Sequence, residues 1–262
     1  MAIGLVHWSK YNVPYRTKRR SVSSCNRERY GSFGRERLED YSWLVNVSTD
    51  PIWNGVVFKN WCQGISGAIV KMLAVIPRNS IEPARIRPFF NKYLGDVETA
   101  ILVTLVRSVN PKVMIEIGVQ EGRTAKIILD NVPSLDRYIG IDVPSGTEPT
   151  LGCQRSEVPR SAGVYAAPDP RFWLLVRERG SLAVGPQDLE LADVIFIDGD
   201  HSRAAVAHDS QLSRALVRPS GLVIWHDANN PAVEVTQVLE QLSNQGWPIT
   251  AIEGSWLAYA RF

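Results

Sequence analysis

Two groups of residues in this 262-residue chain have the types and spacing for chemistry. The first runs Glu116-Ile117-Gly118-Val119-Gln120-Glu121-Gly122-Arg123-Thr124, with Asp142 closing the next apolar run. Without a Cβ, Gly118 permits a tight turn and Gly122 lets backbone come close to a ligand at a helix N-terminus. Glu116, two residues before the first glycine, suits a ligand with a cationic amino-acid end. A carboxylate such as Asp142 at a strand end can accept hydrogen bonds from both hydroxyls of a ribose. The dinucleotide fingerprint G-x-G-x-x-G requires a glycine two residues after the first. Gln120 stands there, so the pattern predicts an adenosine-type ligand rather than a dinucleotide.

The second group is Asp198-Gly199-Asp200-His201, followed by Asp209 and then by His226-Asp227 with Asn229 close behind. Two chemistries fit it. Asp198 and Asp227, with Asn229, offer hard oxygens to a divalent cation such as Mg²⁺, which would acidify and orient a substrate hydroxyl. In a metal-free version His201 or His226, beside Asp198, is the general base, because imidazole titrates close to neutral pH. Asp209 is placed to orient either histidine, and Asp200 reads as a solvated turn residue.

These residues need a scaffold that brings strand ends together. Apolar positions predict a helix over Asp96 to Ser108, stopped by Asn110-Pro111, and a buried strand over Val113 to Ile117. A helix over Thr124 to Asp130, a strand over Arg137 to Val143 and a third strand over Phe172 to Val176 follow. Asp193 to Asp198 is a fourth strand, Ala204 to Val217 a helix, Gly221 to His226 a fifth strand and Ala232 to Gln245 a helix. Ile249 to Ile252 and Leu257 to Ala260 close the sheet as an edge hairpin. Continuous apolar strands alternating with helices predict an α/β fold: a Rossmann-like, doubly wound, mostly parallel sheet with helices on both faces. In such a sheet the glycine turn and the ends of the fourth and fifth strands share one rim, so both groups converge.

The E-x-G-x-x-x-G-x-T motif, Ile141-Asp142, Ile197-Asp198-Gly199-Asp200-His201-Ser202 and Gly221-Leu222-Val223-Ile224-Trp225-His226-Asp227 resemble the class I S-adenosylmethionine-dependent methyltransferases. Within these, the branch with small-molecule and sugar O-methyltransferases and cephalosporin-hydroxylase-like proteins is most similar. The resemblance covers roughly residues 95 to 260. It implies S-adenosylmethionine as cofactor, with Glu116, Gly118 and Gly122 at the methionine end, Asp142 on the ribose, and Gln120 and Thr124 also in the cofactor site. It also implies transfer of a methyl group to a hydroxylated small molecule or sugar. The adenine contact at the end of the third strand has no obvious counterpart, leaving Ser181 and Asp188 as candidates. In catechol-type relatives the fourth-strand Asp and an Asp-Asn pair after the fifth strand hold the cation, and a basic residue stands where His201 does. Here Ala228 follows Asp227, so Asn229 would have to supply the third ligand.

The rest of the chain divides into a basic, irregular N-terminal arm (1–60), an accessory helix and connection (61–94) and the methyltransferase-like domain (95–262). Residues 10 to 40 concentrate arginine and lysine among serine, glycine and tyrosine, whereas the whole chain has a net charge of only +2. That balance disfavours nucleic acid as a bulk-charge partner and leaves the arm as a local contact. Ile65, Ala68, Ile69, Met72, Leu73 and Ile76 fall at helical spacing, a surface for homo-oligomer contact or for packing on the domain. No apolar run is long enough to span a bilayer. The three widely spaced cysteines form no disulfide framework and suit a reducing, cytoplasmic setting. The Pro/Gly/Ser-rich stretch from Pro144 to Pro170 reads either as a surface loop or as a lid with Arg155 and Arg160 facing an anionic acceptor. Trp225, beside His226, is a candidate wall of the acceptor pocket. Two rival functions share this architecture: a non-catalytic assembly protein on a methyltransferase-like scaffold, and a hydrolase or hydroxylase-like protein using the Asp–His group with a metal.

Overall fold

The computed structural model describes residues 84, 86, 90–252 and 255–262. The basic arm and the helix expected between Ile65 and Ile76 lie outside the described residues.

Seven strands form one sheet: β1 (Val113–Ile117), β2 (Arg137–Asp142), β3 (Phe172–Val176), β4 (Ala192–Ile197), β5 (Val217–Trp225), β6 (Ile249–Ala251) and β7 (Ala258–Arg261). Their order is β3-β2-β1-β4-β5-β7-β6. β1 to β5 are mutually parallel, and β7 runs antiparallel to both β5 and β6. The expected closing hairpin is present, with β7 rather than β6 against β5. Among the described residues four α-helices cover the sheet: α1 (Asp96–Arg107), α2 (Arg123–Asn131), α3 (Arg203–Leu216) and α4 (Val235–Asn244).

Alternation along the strands creates two cores, because successive side chains point to opposite faces. Met114, Val194, Phe196 and Ile224 pack with Leu102 and Leu105 of α1 and Ile127 and Ile128 of α2. Ile115, Ile195, Ile197 and Val223 pack on the other face with Val206 and Leu212 of α3 and Val238 and Leu239 of α4. Both faces of β1 and β4 are largely buried, which explains why their sequences are apolar apart from Glu116 in β1 and the half-buried Asp193 in β4.

β5 starts earlier than expected, at Val217. Between Ala192 and Val194 the β4–β5 register shifts, and Ser220 at φ 67° gives the bend that Pro219 and Gly221 flank. The strand order reverses its direction of growth at β1, so the crevice between the carboxyl ends of β1 and β4 is the switch point where such folds bind ligands.

Candidate active site

The glycine turn is shaped as much by protein packing as by any ligand. Gly118 has φ 89°, and a Cβ there would meet the Asp198 carbonyl oxygen at 2.2 Å. The end of β1 can therefore lie against the end of β4 only if position 118 is glycine. Gly122, at φ 81°, caps the start of α2; a Cβ there would meet Gly163 Cα at 2.9 Å. Backbone of the 144–170 segment thus makes a close approach at Gly122. Gln120 takes the left-handed conformation without being glycine, at φ 55°.

A cavity of about 430 Å³ opens at this rim. Gly118, Gln120 and Asp142 line it, as do Asp198, Gly199 and Asp200 from the end of β4. The other three residues assigned to the cofactor do not. Glu116 is buried at 1% exposure and accepts a 2.9 Å hydrogen bond from Tyr138. Burial pushes its carboxyl well above the usual range, Tyr138 opposes this, and Asp198 and Asp142 push it further up. Together with the Tyr138 bond, this burial makes Glu116 a structural link between β1 and β2. Thr124 accepts a 2.9 Å hydrogen bond from Asn91, tying the chain before α1 to α2.

Asp142 is set up differently. Oδ2 accepts from the Gln120 N–H at 2.5 Å and Oδ1 from the Val143 N–H at 2.7 Å, so the carboxylate is fixed in orientation at the cavity wall. Burial outweighs these bonds and raises its pKa from 3.8 to about 6.

The Asp–His group converges, with Asp198 at its open end. Asp198 N–H bonds to Ile117 O at 2.8 Å and His226 N–H to Ile197 O at 3.0 Å, which places the ends of β1, β4 and β5 side by side. Asp198 Oδ1 lies 3.4 Å from His201 Nε2 and 3.1 Å from His226 Nδ1. Asp227 Oδ2 lies 3.1 Å from His201 Nδ1 and 3.4 Å from His226 Nδ1. Glu98 of α1 adds a third carboxylate, 3.5 Å from His226 Nε2. Burial alone would lower the pKa of His226, but Asp198 and Asp227 outweigh it and hold the ring well above 6.5. Burial would likewise raise Asp198, and His226 and His201 bring it below the ordinary carboxylate value. Asp198 lines the cavity, whereas neither histidine does; His201 is 3% and His226 1% exposed.

Several expected neighbours sit elsewhere. Asp209 is fully buried and pairs with His208 Nδ1 at 3.2 Å, so it orients neither His201 nor His226. Trp225 points into the α3–α4 core, where its indole donates to Ser210 Oγ at 3.0 Å; it is no wall of the cavity. The amide that meets Asp227 is that of Asn230, donating to Oδ1 at 2.7 Å, while Asn229 is half-buried beside it. Asp200 accepts from Ser202 N–H at 2.8 Å and from the Thr150 hydroxyl, so it anchors a turn. Of the adenine candidates, Ser181 lines the cavity and Asp188 closes its own short turn on Gly185 N–H at 2.8 Å.

The 144–170 segment is a wall of the cavity, contributing Thr147, Glu148, Thr150, Gln154, Glu157 and Val158 among others. Arg155 pairs instead with the exposed Glu148 at 3.2 Å. Sequence reasoning passed over Gln154, Glu98 and Tyr138. Glu98 and Tyr138 belong to ordinary amphipathic and apolar patterns, and Gln154 to a stretch with no period at all.

The donor atoms of Asp198, His201 and Asp227 lie within 4.8 Å of one another, close enough to surround an ion. The surroundings do not fit an oxygen-liganded Mg²⁺. That ion demands six oxygens in octahedral array and keeps several waters. Here imidazole nitrogens approach both carboxylates at 3.1 to 3.4 Å, and Asp227 has no exposure to solvent.

Sheet order, rim cavity and strand-end carboxylates define a doubly wound, nucleotide-type α/β domain. Residues 115–228 match the model of a family described as a methyltransferase domain. No curated protein matches it in sequence. Solved structures that resemble it include the SAH-bound methyltransferase PaMTH1 of Podospora anserina. That one is 13% identical at a TM-score of 0.48, over 65% of this chain and 80% of that one. CalS11, a calicheamicin methyltransferase, is 18% identical at 0.49, over 63% and 78%. An O-methyltransferase from Bacillus cereus in complex with SAH is 16% identical at 0.46, over 64% and 82%. Among the described residues no helix is long and apolar enough to cross a membrane.

Proposed function

We propose that this domain transfers a methyl group from S-adenosylmethionine to a hydroxyl of a small molecule or sugar. The observation that carries the reading is the cavity itself. One wall presents the Gly118 turn, Gln120 and the fixed carboxylate of Asp142, and the other presents Asp198. S-adenosylmethionine, when bound, supplies an electrophilic methyl on a sulfonium sulfur.

Asp142, already oriented by two backbone donors, accepts hydrogen bonds from the ribose hydroxyls. Ser181, which lines the same cavity, would meet the adenine. Asp198 accepts the hydrogen bond of the acceptor hydroxyl and turns its oxygen toward the methyl carbon. Asp198 would take the proton of the acceptor hydroxyl and release it to solvent from the cavity that it lines. His201 and His226 lie behind Asp198 and hold it ionised and in place. Their part in catalysis is exerted through that carboxylate. Alignment of the reacting atoms supplies most of the acceleration such a transfer needs. No step is routed through Mg²⁺, for the reasons of donor chemistry given above.

Calorimetry with S-adenosylhomocysteine tests the reading. Binding in the micromolar range that is abolished in Asp142→Ala and unchanged by chelator is the expected result. No heat at millimolar ligand would overturn it and leave the scaffold role of the same fold in its place.

A further inference from the structure

We propose that the free edge of β3 is an interface at which a second copy of this chain adds its own β3, antiparallel, about a twofold axis at Leu174. The proposal stands on the sheet alone and does not depend on the reaction proposed above.

β3 is the last strand on its side of the sheet, with β2 as its neighbour. Its sequence, Phe172-Trp173-Leu174-Leu175-Val176, has the continuous apolar character of an interior strand. Phe172 packs into one core and Leu175 into the other, so the sheet is covered on both faces up to this strand. Yet Trp173 is 58% exposed, and Leu174 and Val176 are each 39% exposed. The surface around them is apolar too. Gly163 lies against Leu174, and its neighbour Val164 is exposed. Arg137 stacks on the Trp173 ring at 4.9 Å and pairs with Glu190 at 2.7 Å, next to the exposed Leu191. Edge strands are usually guarded by a charge, a proline or a bulge. Residues 172–176 contain neither charge nor proline, and the β2–β3 register runs without a shift.

The backbone shows what kind of neighbour is missing. Arg171 O accepts from Tyr138 N–H at 2.8 Å, and Arg177 N–H donates to Asp142 O at 3.0 Å. Odd-numbered residues of β3 therefore turn their polar groups to β2, and Phe172, Leu174 and Val176 turn theirs outward. Phe172 N–H is taken by Asp169 O at 3.1 Å, and Val176 O by the Arg177 guanidinium at 3.1 Å. Leu174 N–H and C=O, Val176 N–H and Phe172 C=O meet no partner among the described residues. A helix laid on one face would leave these groups and the other face uncovered. A strand satisfies both demands.

A second β3 fits in one register. With Leu174 facing the partner's Leu174, each donates its N–H to the other's carbonyl, as in a hydrogen-bonded pair of an antiparallel ladder. Val176 N–H then meets the carbonyl of the partner's Phe172. The outward groups that this register would pair last, Phe172 N–H and Val176 C=O, are the ones already bonded within the chain. The free groups thus match themselves, which is what a twofold contact requires. Trp173 comes beside the partner's Leu175 on one face and Val176 beside the partner's Phe172 on the other, cross-strand pairs of the stabilising kind. Past the strand ends, Asp169 comes opposite the partner's Arg179. Arg171 comes opposite the partner's Arg177, a like-charge contact softened because Asp169 holds Arg171 at 2.6 Å.

Sedimentation velocity of the full chain, with amide exchange of β3 read by NMR over a range of concentrations, tests the proposal. The expected result is a dimer in which the Leu174 and Val176 amides exchange slowly, and faster on dilution. Leu174→Arg sets like charges across the axis, and Trp173→Glu puts a charge in the apolar contact. Each should weaken association by about tenfold or more. Trp173 lies mostly in solvent, so Trp173→Glu should keep its fold by circular dichroism even if Leu174→Arg does not. A chain that sediments as a monomer at about 100 µM would overturn the proposal. So would wild-type dimer affinity in folded Trp173→Glu. Slow exchange of both amides that persists in the diluted monomer would mean that the edge is covered from within the chain, and would overturn it as well.

Discussion

Asp142 and Glu116 show how two carboxyls near one turn acquire different uses. Glu116 accepts a hydrogen bond from the Tyr138 phenol and does not line the cavity, and burial pushes its carboxyl well above the usual range. Asp142 has two backbone donors and a place on the cavity wall. Its pKa of about 6 makes a specific demand on pH. Ribose hydroxyls donate to the ionised carboxylate, so ligand binding competes with its proton. The affinity for S-adenosylhomocysteine should be flat above about pH 7 and fall below pH 6, approaching tenfold per pH unit. Asp142→Asn, which cannot titrate, should bind weakly at every pH. Calorimetry from pH 5 to 8 checks both; a flat wild-type profile through pH 5 would mean the carboxylate is not the ribose acceptor.

At the scale of elements, the helices and strands after Gly95 were legible because each carries an apolar run of the right period and a clear stop. Strand ends then placed Gly118, Gln120, Asp142 and Asp198 on one rim without any knowledge of side-chain packing. Gln154, Glu98 and Tyr138 were not legible, since their roles arise from contacts between segments far apart in sequence. The same reason hid the second constraint on Gly122. Its spacing after Gly118 suggests a ligand, whereas its neighbour is Gly163 of the wall. Arg123, stacked 5.0 Å from the Phe90 ring centroid and 4.1 Å from that of Tyr165, completes the junction of α2 with the preceding chain and the wall. Gly122→Ala should therefore lower stability by about 1–3 kcal/mol, through a positive φ and a displaced wall. Urea unfolding measures the loss. Faster proteolysis within residues 144–170 should accompany it, and a variant with wild-type stability and protection would show that the wall does not depend on this contact.

For the molecule as a whole, the buried Asp–His group links the site to stability. His226 stands between Asp198, Asp227 and Glu98 at 3.1 to 3.5 Å. Burial disfavours its charge, yet Asp198 and Asp227 raise its pKa well above 6.5. A raised folded-state pKa means that the native protein binds more protons than the unfolded chain above about pH 6.5. The stabilisation is complete below that pH and is lost as pH rises through the folded value. The unfolding free energy should then decline across that window by at most about 1.4 kcal/mol per pH unit. His226→Gln removes the titrating group, so its stability should be lower near pH 6 and should not share the decline. Urea titrations of both proteins from pH 6 to 9 decide the matter. Parallel curves would mean that His226 is neutral in the native state and that Asp198 draws its charge balance from elsewhere. If they diverge as expected, the imidazolium that holds Asp198 ready at the cavity also joins β4 and β5 to α1, and removing the charge should loosen fold and site together.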